Sequence, residues 1–589
     1  MAANDQESKV PLKLLIDDKN KRVIAAEANK DFVDILFSFL TFPIGTIIRL
    51  TNNNQSMPKI PTCMNNLYKS VENLSVNRLY TENCKSILLN PRNPCIEDCL
   101  KLKVKIDDSV SNKYFKCSND NCSNKSWLVN VKCSCEGKTS KEIFSDVRNP
   151  TNDYLGVFIK GGIEFIISDD LRVLPGSPIS LVQLFSDLGY NHMNHIREMF
   201  VEVGKEEILR LLICSLISKS PLTEVFINKQ AIVDNNIMTE PRISQVFAEP
   251  RNVFSIEINL KLILSKSRNK ILYAEAEDSF VDFLFSFLTF PIGSVITTLK
   301  GISGLGCIDN LYKSVTDLES QWFSFSSYQN RLLNPGVAPK HKCQNVLLPI
   351  FVELPDHNKL IDPRDISGGI SEFGRFTKSP SLFIVSDDLE VKPMCSTSSF
   401  GLLKELNVPL FDIEEKVISF GKAEAQCLLQ AALIGSSSAL TLALSSFLKT
   451  QREEGGCGLG SIDNLYKSVE ALDSKWFNTY PTSNGNASVE NHIVLYHKSE
   501  NAEVHFFDPM EPVPLKSKHP QKFRKFSKAP SLFYDVEEQV ISVGESEALS
   551  LLKVSLMSSL SALTVVLNHM LKKHIDGDVK SNLRFSQAG

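Results

Sequence analysis

Net charge is almost absent from this chain: 64 Lys and Arg stand against 68 Asp and Glu, a balance of −4. That excludes a polycation that coats nucleic acid and a polyacidic tail. The opening residues, Met1 to Lys9, are polar and lack the apolar run of a secretory signal. The closing residues carry no lipidation motif. The expected location is therefore intracellular, cytoplasmic or nuclear, where fourteen cysteines serve as free thiols or metal ligands rather than disulfides. Gly-x-Ser-x-Gly, His-Glu-x-x-His, the kinase motifs and a dinucleotide fingerprint are all missing, which leans the expectation away from an enzyme. With 43% apolar and 22% charged residues, the chain is neither collagen-like nor wholly disordered. Its 589 residues suffice for three or four domains.

One uncharged stretch, Ala425–Leu448, is long enough to cross a bilayer. It contains Gly435-Ser-Ser-Ser438, and the related stretch Leu211–Asn228 carries Lys219, Pro221 and Glu224. Ser220-Pro221 reads as an N-cap followed by proline at the first helical position. Two consecutive buried helices are expected at each place, and no membrane.

What the chain does have is internal repetition. Ala26–Gly45 recurs as Ala274–Gly293, with 16 of 20 positions identical at an offset of 248. Asn66-Leu-Tyr-Lys-Ser-Val71 recurs at Asn310–Val315 and Asn464–Val469, and Leu88-Leu-Asn-Pro91 at Leu332–Pro335. Ser168-Asp-Asp170 recurs as Ser386-Asp-Asp388, and Phe411–Gly421 as Tyr534–Gly544. The expected organisation is a first unit at 10–230 with a Cys-rich insertion at about 99–148, and a linker at 231–255. A second unit follows at 256–450, then a truncated third at 451–573 and a loose tail at 574–589.

Within a unit, Leu12–Ile16 and Arg22–Ala26 read as a hairpin. Asp31 is the expected cap of a helix through Phe39, and Pro43 divides it from the next segment, Ile44–Leu50. Asn65 or Asn66 is expected to cap a helix carrying Leu67, Val71 and Leu74. Ser86–Leu89 and Phe165–Ser168 read as strands, Ser177-Pro178 as a helix start, and Met199–Val203 as a strand. Glu206–Ile217 and Leu222–Ile227 read as helices. The mixture lacks a regular parallel βαβ rhythm, so the predicted class is α+β: tandem units of short antiparallel strands and helices, the last one truncated.

These motifs together (Ala-Glu-Ala…Phe-Val-Asp-x-Leu-Phe-Ser-Phe-Leu-Thr-x-Pro-Ile-Gly, Asp-Asn-Leu-Tyr-Lys-Ser-Val, Leu-Leu-Asn-Pro) resemble the plant family called domain of unknown function 674, in about two and a half tandem copies. The resemblance implies a flowering-plant protein. It carries over no catalytic residue.

The sharpest candidate for chemistry is Cys117-x4-Cys122, ten residues, then Cys133-x-Cys135. Four thiolates in two close pairs suit a tetrahedral structural zinc ion and leave no open position for catalysis. Trp127–Val131 between the pairs is expected to form a strand, and Gly137 resembles the turn glycine of a zinc knuckle. Cys-x-Cys in place of Cys-x-x-Cys strains chelation by both residues. The span Cys99–Arg148 carries 10 Lys and Arg against 6 Asp and Glu.

Four other motifs invite blander readings. Asn-Leu-Tyr-Lys-Ser-Val reads as a core helix more readily than as a surface for a partner. The glycine-rich loops Gly301–Gly306 and Gly455–Ser461 are weak phosphate binders, because Asp309 and Asp463 compete for their amide donors. The Ser-Asp-Asp pairs read as turns rather than cation ligands. His192 and His195 lack a third metal ligand.

Three functions stay open: a non-enzymatic multivalent scaffold that binds protein, an adaptor that binds nucleic acid through the Cys-rich insertion, and an enzyme of undetected type.

Overall fold

A computed structural model describes residues 8–448, apart from 55–56, 108–112, 145–154, 191–194, 229–256, 345–346, 353–359, 366, 370–373 and 436. It also describes three strands beyond them. Residues 1–448 and 449–589 form two compact units. The expected linker, most of the third unit, the tail, His192 and Gly455–Ser461 lie outside the described residues.

The first unit opens with the expected hairpin, β1 (Val10–Asp17) and β2 (Arg22–Ala28), whose turn is tied by Asp17 accepting the Lys19 and Asn20 amides at 2.9 and 3.1 Å. Helix α1 (Lys30–Ser38) follows, and Asn29, not Asp31, caps it: the Asn29 side chain accepts from the Asp31 and Phe32 amides. Asp31 lies within the first turn, where its charge suits the positive helix end. Pro43 precedes α2 (Ile44–Asn52). In α3 (Met64–Asn73), Asn65 and Asn66 are helical rather than capping, and the cap position is Cys63.

Ser86–Leu89, expected as a strand, ends helix α4 (Glu82–Leu89). Cys84, Ile87 and Leu88 are all buried at helical spacing, which a four-residue apolar run does not reveal. A short α5 (Ile96–Cys99) leads to the insertion strands β3 (Lys113–Cys117), β4 (Lys125–Ser126) and β5 (Thr139–Phe144). Then come β6 (Phe165–Ser168), β7 (Val173–Pro175), α6 (Pro178–Asp187), β8 (Ile196–Val203), α7 (Lys205–Ile217) and α8 (Pro221–Phe226). Ser177 caps α6 as expected, accepting the Ser180 amide.

The next elements are β9 (Ile258–Ser265), β10 (Lys270–Glu277), α9 (Asp278–Ser286), α10 (Ile292–Thr298), α11 (Ile308–Asp317) and α12 (Ser326–Leu333). They are followed by β11 (Leu382–Ser386), β12 (Val391–Pro393), α13 (Ser396–Glu405) and β13 (Ile413–Phe420). The uncharged stretch is α14 (Lys422–Ile434), α15 (Ala439–Ala443) and α16 (Ser445–Leu448), broken at Gly435. Among the described residues, no helix is long and apolar enough to cross a membrane. The second unit shows a sheet of β14 (Asn491–Lys498), β15 (Val504–His505) and β16 (Val536–Val543) in the order β15-β14-β16.

The class is α+β. Two five-stranded antiparallel sheets run β7-β6-β2-β1-β8 and β12-β11-β10-β9-β13, and each has one register shift in its hairpin, at Leu15/Ile16 and at Ile271/Tyr273. One apolar core runs through both halves and takes in Phe32, Phe37 and Phe39 from α1 and its exit, and Phe280, Phe285 and Phe287 from α9 and its exit. At about 1.5–3 kcal/mol for each buried large apolar side chain, this shared core is the main force holding the halves together.

The polar contacts between the halves are reciprocal. Ile44 donates to the Phe290 carbonyl at 3.0 Å and Ile292 to that of Phe42 at 3.1 Å. In α3, Asn66 donates to Asp388 and Ser70 accepts the Val391 amide; in α11, Asn310 donates to Asp170 and Ser314 accepts the Val173 amide. The two described Asn-Leu-Tyr-Lys-Ser-Val helices, α3 and α11, thus each seat on the Ser-Asp-Asp turn of the opposite half. Asp34 accepts the amides of Val157, Phe158 and Ile159, and Asp282 those of Phe376 and Thr377. These loops in turn bond across the halves, through Phe158 to Ser324 and Phe376 to Tyr80.

Candidate metal centre

The insertion is a three-stranded sheet, β4-β3-β5, too small to bury a core of its own. Its strands place four cysteines at one end. Cys117 ends β3, and a tight turn brings the Cys122 amide back to the Asn119 carbonyl at 3.0 Å. Cys133 and Cys135 sit on a second turn, closed by Cys133 N–H to Gly137 O and Glu136 N–H to Cys133 O, both at 2.9 Å. Glu136 takes a left-handed conformation, φ 67°, which lets a Cys-x-Cys spacing turn both sulfurs inward.

All four sulfurs lie within 4.8 Å of one another; Cys117 Sγ is 3.4 Å from Cys135 Sγ, and Cys122 Sγ is 3.6 Å from Cys133 Sγ. A tetrahedron with Zn–S bonds of about 2.3 Å has sulfurs about 3.8 Å apart, so the donor set and its spacing fit a zinc ion. Gly137 packs on this cluster, since a Cβ there would lie 2.6 Å from Cys117 Sγ.

The electrostatics ask for a cation. Burial opposes ionisation of Cys133, yet the Cys135 amide, the Asn124 side chain and the neighbouring thiols bring its thiol down to about 6. Burial and the adjoining thiols push Cys122 up to about 12, and burial raises Cys117. One thiolate forms readily and opposes the next; a divalent ion removes that opposition and can ionise all four.

One expectation needs amending. Trp127–Val131 is not a strand: the strand is β4, and the chain turns at Asn130 (φ 61°) so that Thr139 Oγ1 accepts the Val131 amide at 2.9 Å. The insertion docks on the second half. Ile361, fully buried, packs in one apolar cluster with Cys117, Val131 and Cys133. Its amide donates to the Lys125 carbonyl at 2.9 Å, and Ser134 donates to the Gly368 carbonyl at 3.2 Å. Gly368 (φ 76°) presses against the Cys133 backbone, where a Cβ would lie 2.5 Å away.

That docking loop is organised by a charge pair which sequence patterning gave no sign of. Arg364 is fully buried and donates through Nε and Nη2 to Asp362, at 3.0 and 2.9 Å, and through Nη1 to the Lys342 carbonyl at 2.7 Å. Its guanidinium lies 5.4 Å from the Phe376 ring centroid. His341 stacks on Trp127 and accepts the Arg92 amide; burial lowers its pKa to about 3, so it is neutral.

The other candidates are occupied. Asp309 accepts from the Ser303 side chain and from the Ser303 and Gly304 amides, which fills the glycine-rich loop's donors. Asp169 and Asp387 accept from Thr223 and Thr441, so the Ser-Asp-Asp turns offer no open cation site. His195 is exposed on a turn. Leu67, Tyr68 and Val71 are buried, as expected of a core helix.

No curated protein and no solved structure matches the chain. A family model described as protein of unknown function (DUF674) matches residues 6–423, well over half of the sequence. With its two sheets and the cysteine-bearing insertion inside that match, the chain belongs to the DUF674 family.

Proposed function

We propose that the chain is a non-enzymatic intracellular scaffold, cytoplasmic or nuclear, that binds protein at two like surfaces, and that one structural zinc ion on Cys117, Cys122, Cys133 and Cys135 steadies it. The observation that carries this reading is the outer face of the two sheets. Lys13 pairs with Glu27 and Glu198 across β2, β1 and β8, and Lys261 with Glu275 and Glu415 across β10, β9 and β13. Beside each ladder stands an exposed apolar residue at the same register, Phe200 opposite Lys13 and Val417 opposite Lys261, 76% and 64% exposed. Two similar patches on one compact unit favour avidity without new chemistry. The most displaced carboxyls, Asp34 and Asp282, are consumed by backbone amides rather than aimed into a cleft, which supports a non-catalytic role.

The test is affinity capture from native extract with the full chain, Phe200→Glu, Val417→Glu and the double variant. The scaffold reading expects bound proteins reduced by each single change and lost with both. Unaltered capture by the double variant sinks it.

A second reading, nucleic-acid binding, rests on Lys132 and Lys138, which face each other across an isolated bridge at the second knuckle, exposed and outside every ion pair among the described residues. It expects RNA or DNA binding that weakens steeply with salt and is lost in Lys132→Glu/Lys138→Glu.

A further inference from the structure

Where the insertion meets the second half, next to the metal centre but not part of it, the surface closes around a cleft with about 90 Å³ of free room. Its walls come from both halves: Arg92 and Pro94 from the segment after α4, Tyr114 from β3, Trp127 from the turn after β4, and Arg331 and Pro339 from the segment around the end of α12.

Arg92 is the centre of interest. It is half-buried and, among the described residues, its guanidinium meets no carboxylate. Among the described residues, four other buried or half-buried guanidiniums have one: Arg49 pairs with Asp107, Arg331 with Asp98, Arg364 with Asp362 and Arg375 with Asp278. Arg92 is instead held by an aromatic. Its guanidinium stands 4.8 Å from the Tyr114 ring centroid and donates to the Tyr114 hydroxyl at 3.0 Å. Lys125 lies 4.7 Å from the same ring and fixes it further. The Arg92 backbone is pinned as well, since its amide donates to His341.

A cation so positioned is preorganised for an anion. The Tyr114 oxygen accepts from Arg92, so its own hydrogen is available to a second acceptor at the same place. A planar guanidinium beside a hydroxyl donor matches the two oxygens of a carboxylate. Arg331 adds positive charge but is already paired, and exposed Glu97 stands at the rim, so the balance suits a monoanion better than a dianion. Asn93 also lines the cleft, but its side chain is spent on Thr41 and the Cys95 amide; the remaining lining is apolar, Ile96, Leu360 and the two prolines, with Trp127 half-exposed and backed on one side by the neutral His341 ring. The room is well below the ~300 Å³ of a site for drug-sized ligands, enough for a single ring and not for a nucleotide.

We propose that this cleft binds a small aromatic carboxylate, with the carboxylate on Arg92 and the Tyr114 hydroxyl and the ring against Trp127.

The test is calorimetric titration of the full chain with benzoate, with benzamide and inorganic phosphate as comparisons and tryptophan fluorescence as a second readout. Saturable benzoate binding is expected, with benzamide about tenfold weaker or more because it lacks the charge. Phosphate should not displace benzoate. Arg92→Gln should weaken benzoate about tenfold or more, and Trp127→Phe should abolish the fluorescence change. Glu97→Gln, an exposed rim residue that does not endanger folding, should tighten benzoate by about twofold to fivefold through lost repulsion. Absence of saturable binding, equal binding of benzamide, displacement by phosphate, or indifference to both Arg92→Gln and Glu97→Gln each overturns the proposal.

Discussion

The two halves of the first unit carry insertions at the same point, between Leu-Leu-Asn-Pro and the next sheet strand, and close them by different physics. The first, after Pro91, gathers four cysteines around a space the size of a metal ion. The second, after Pro335, buries a charge pair, Arg364–Asp362, with His341 and Lys340 nearby in the chain. Both segments lean on the shared core, through Leu102, Val104 and Ile106 in the first and Val337, Leu347, Leu348 and Phe376 in the second. A four-thiolate centre draws its stability from metal binding, whereas a buried ion pair offsets its desolvation only while both partners and their hydrogen bonds are present. The two devices also share a boundary, because Ile361 and Gly368 beside the charge pair pack directly on Cys117 and Cys133. The end of the first insertion that carries the thiols is thereby covered by the second.

The comparison breaks most severely if the metal is removed. Chelation, or Cys117→Ser/Cys122→Ser, should abolish hydrogen-exchange protection in β3–β5 and also in residues 360–369, while both five-stranded sheets keep theirs. Loss confined to the insertion would show that the two are independent.

Next in size is the charge pair. Asp362→Ala leaves Arg364 buried and unpaired and should cost about 3–5 kcal/mol in chemical unfolding. Arg364→Met/Asp362→Leu should cost clearly less, since it leaves no orphaned charge. Equal losses would mean that packing alone closes this loop.

Third is a pH effect that the two halves share. Burial pushes the Asp34 and Asp282 carboxyls up to about 7, against the pull of the amides they accept. Below their ordinary value both are protonated in either state. Between about 4 and 7 the folded chain keeps protons that the unfolded chain has released, so their contribution to stability falls as pH rises through that window. The slope should be about 1.4 kcal/mol per pH unit for each. Unfolding of Asp34→Asn/Asp282→Asn followed across that range should show a flatter dependence than wild type.

The smallest effect tests reciprocity. Ser70→Ala and Ser314→Ala each remove one acceptor for an amide of the opposite half, Val391 or Val173, and should each cost about 1–2 kcal/mol. A large cost for one and none for the other would mean that the two seatings are not equivalent.

How much of this was legible in the sequence follows from how local each cause is. The hairpins, the Ser177 cap and the break at Gly435 are set by neighbours in the chain, and their residues announce them. The four ligand candidates were legible because thiol spacing is itself the signal. Asn29 caps α1 in place of the expected Asp31, because both residue types are good caps and only the backbone decides. Ser86–Leu89 is helix where a strand is expected, because a run this short does not separate a period of two from one of 3.6. What closes the cysteine centre was not legible at all. Ile361, Gly368 and Arg364 lie more than two hundred residues from Cys133 and carry no thiol, so no pattern joins them to it. The reciprocal seating left one trace: the Asn, Ser and Asp that make these contacts recur in both copies of their motifs, as polar groups do when each has a fixed partner.

The most direct measurement is the metal content of the purified full chain by elemental analysis, with Cys117→Ser/Cys122→Ser beside it. The account predicts about one zinc per chain in the wild type and none in the variant. Metal-free wild-type protein prepared under reducing conditions, or zinc retained by the variant, would contradict it.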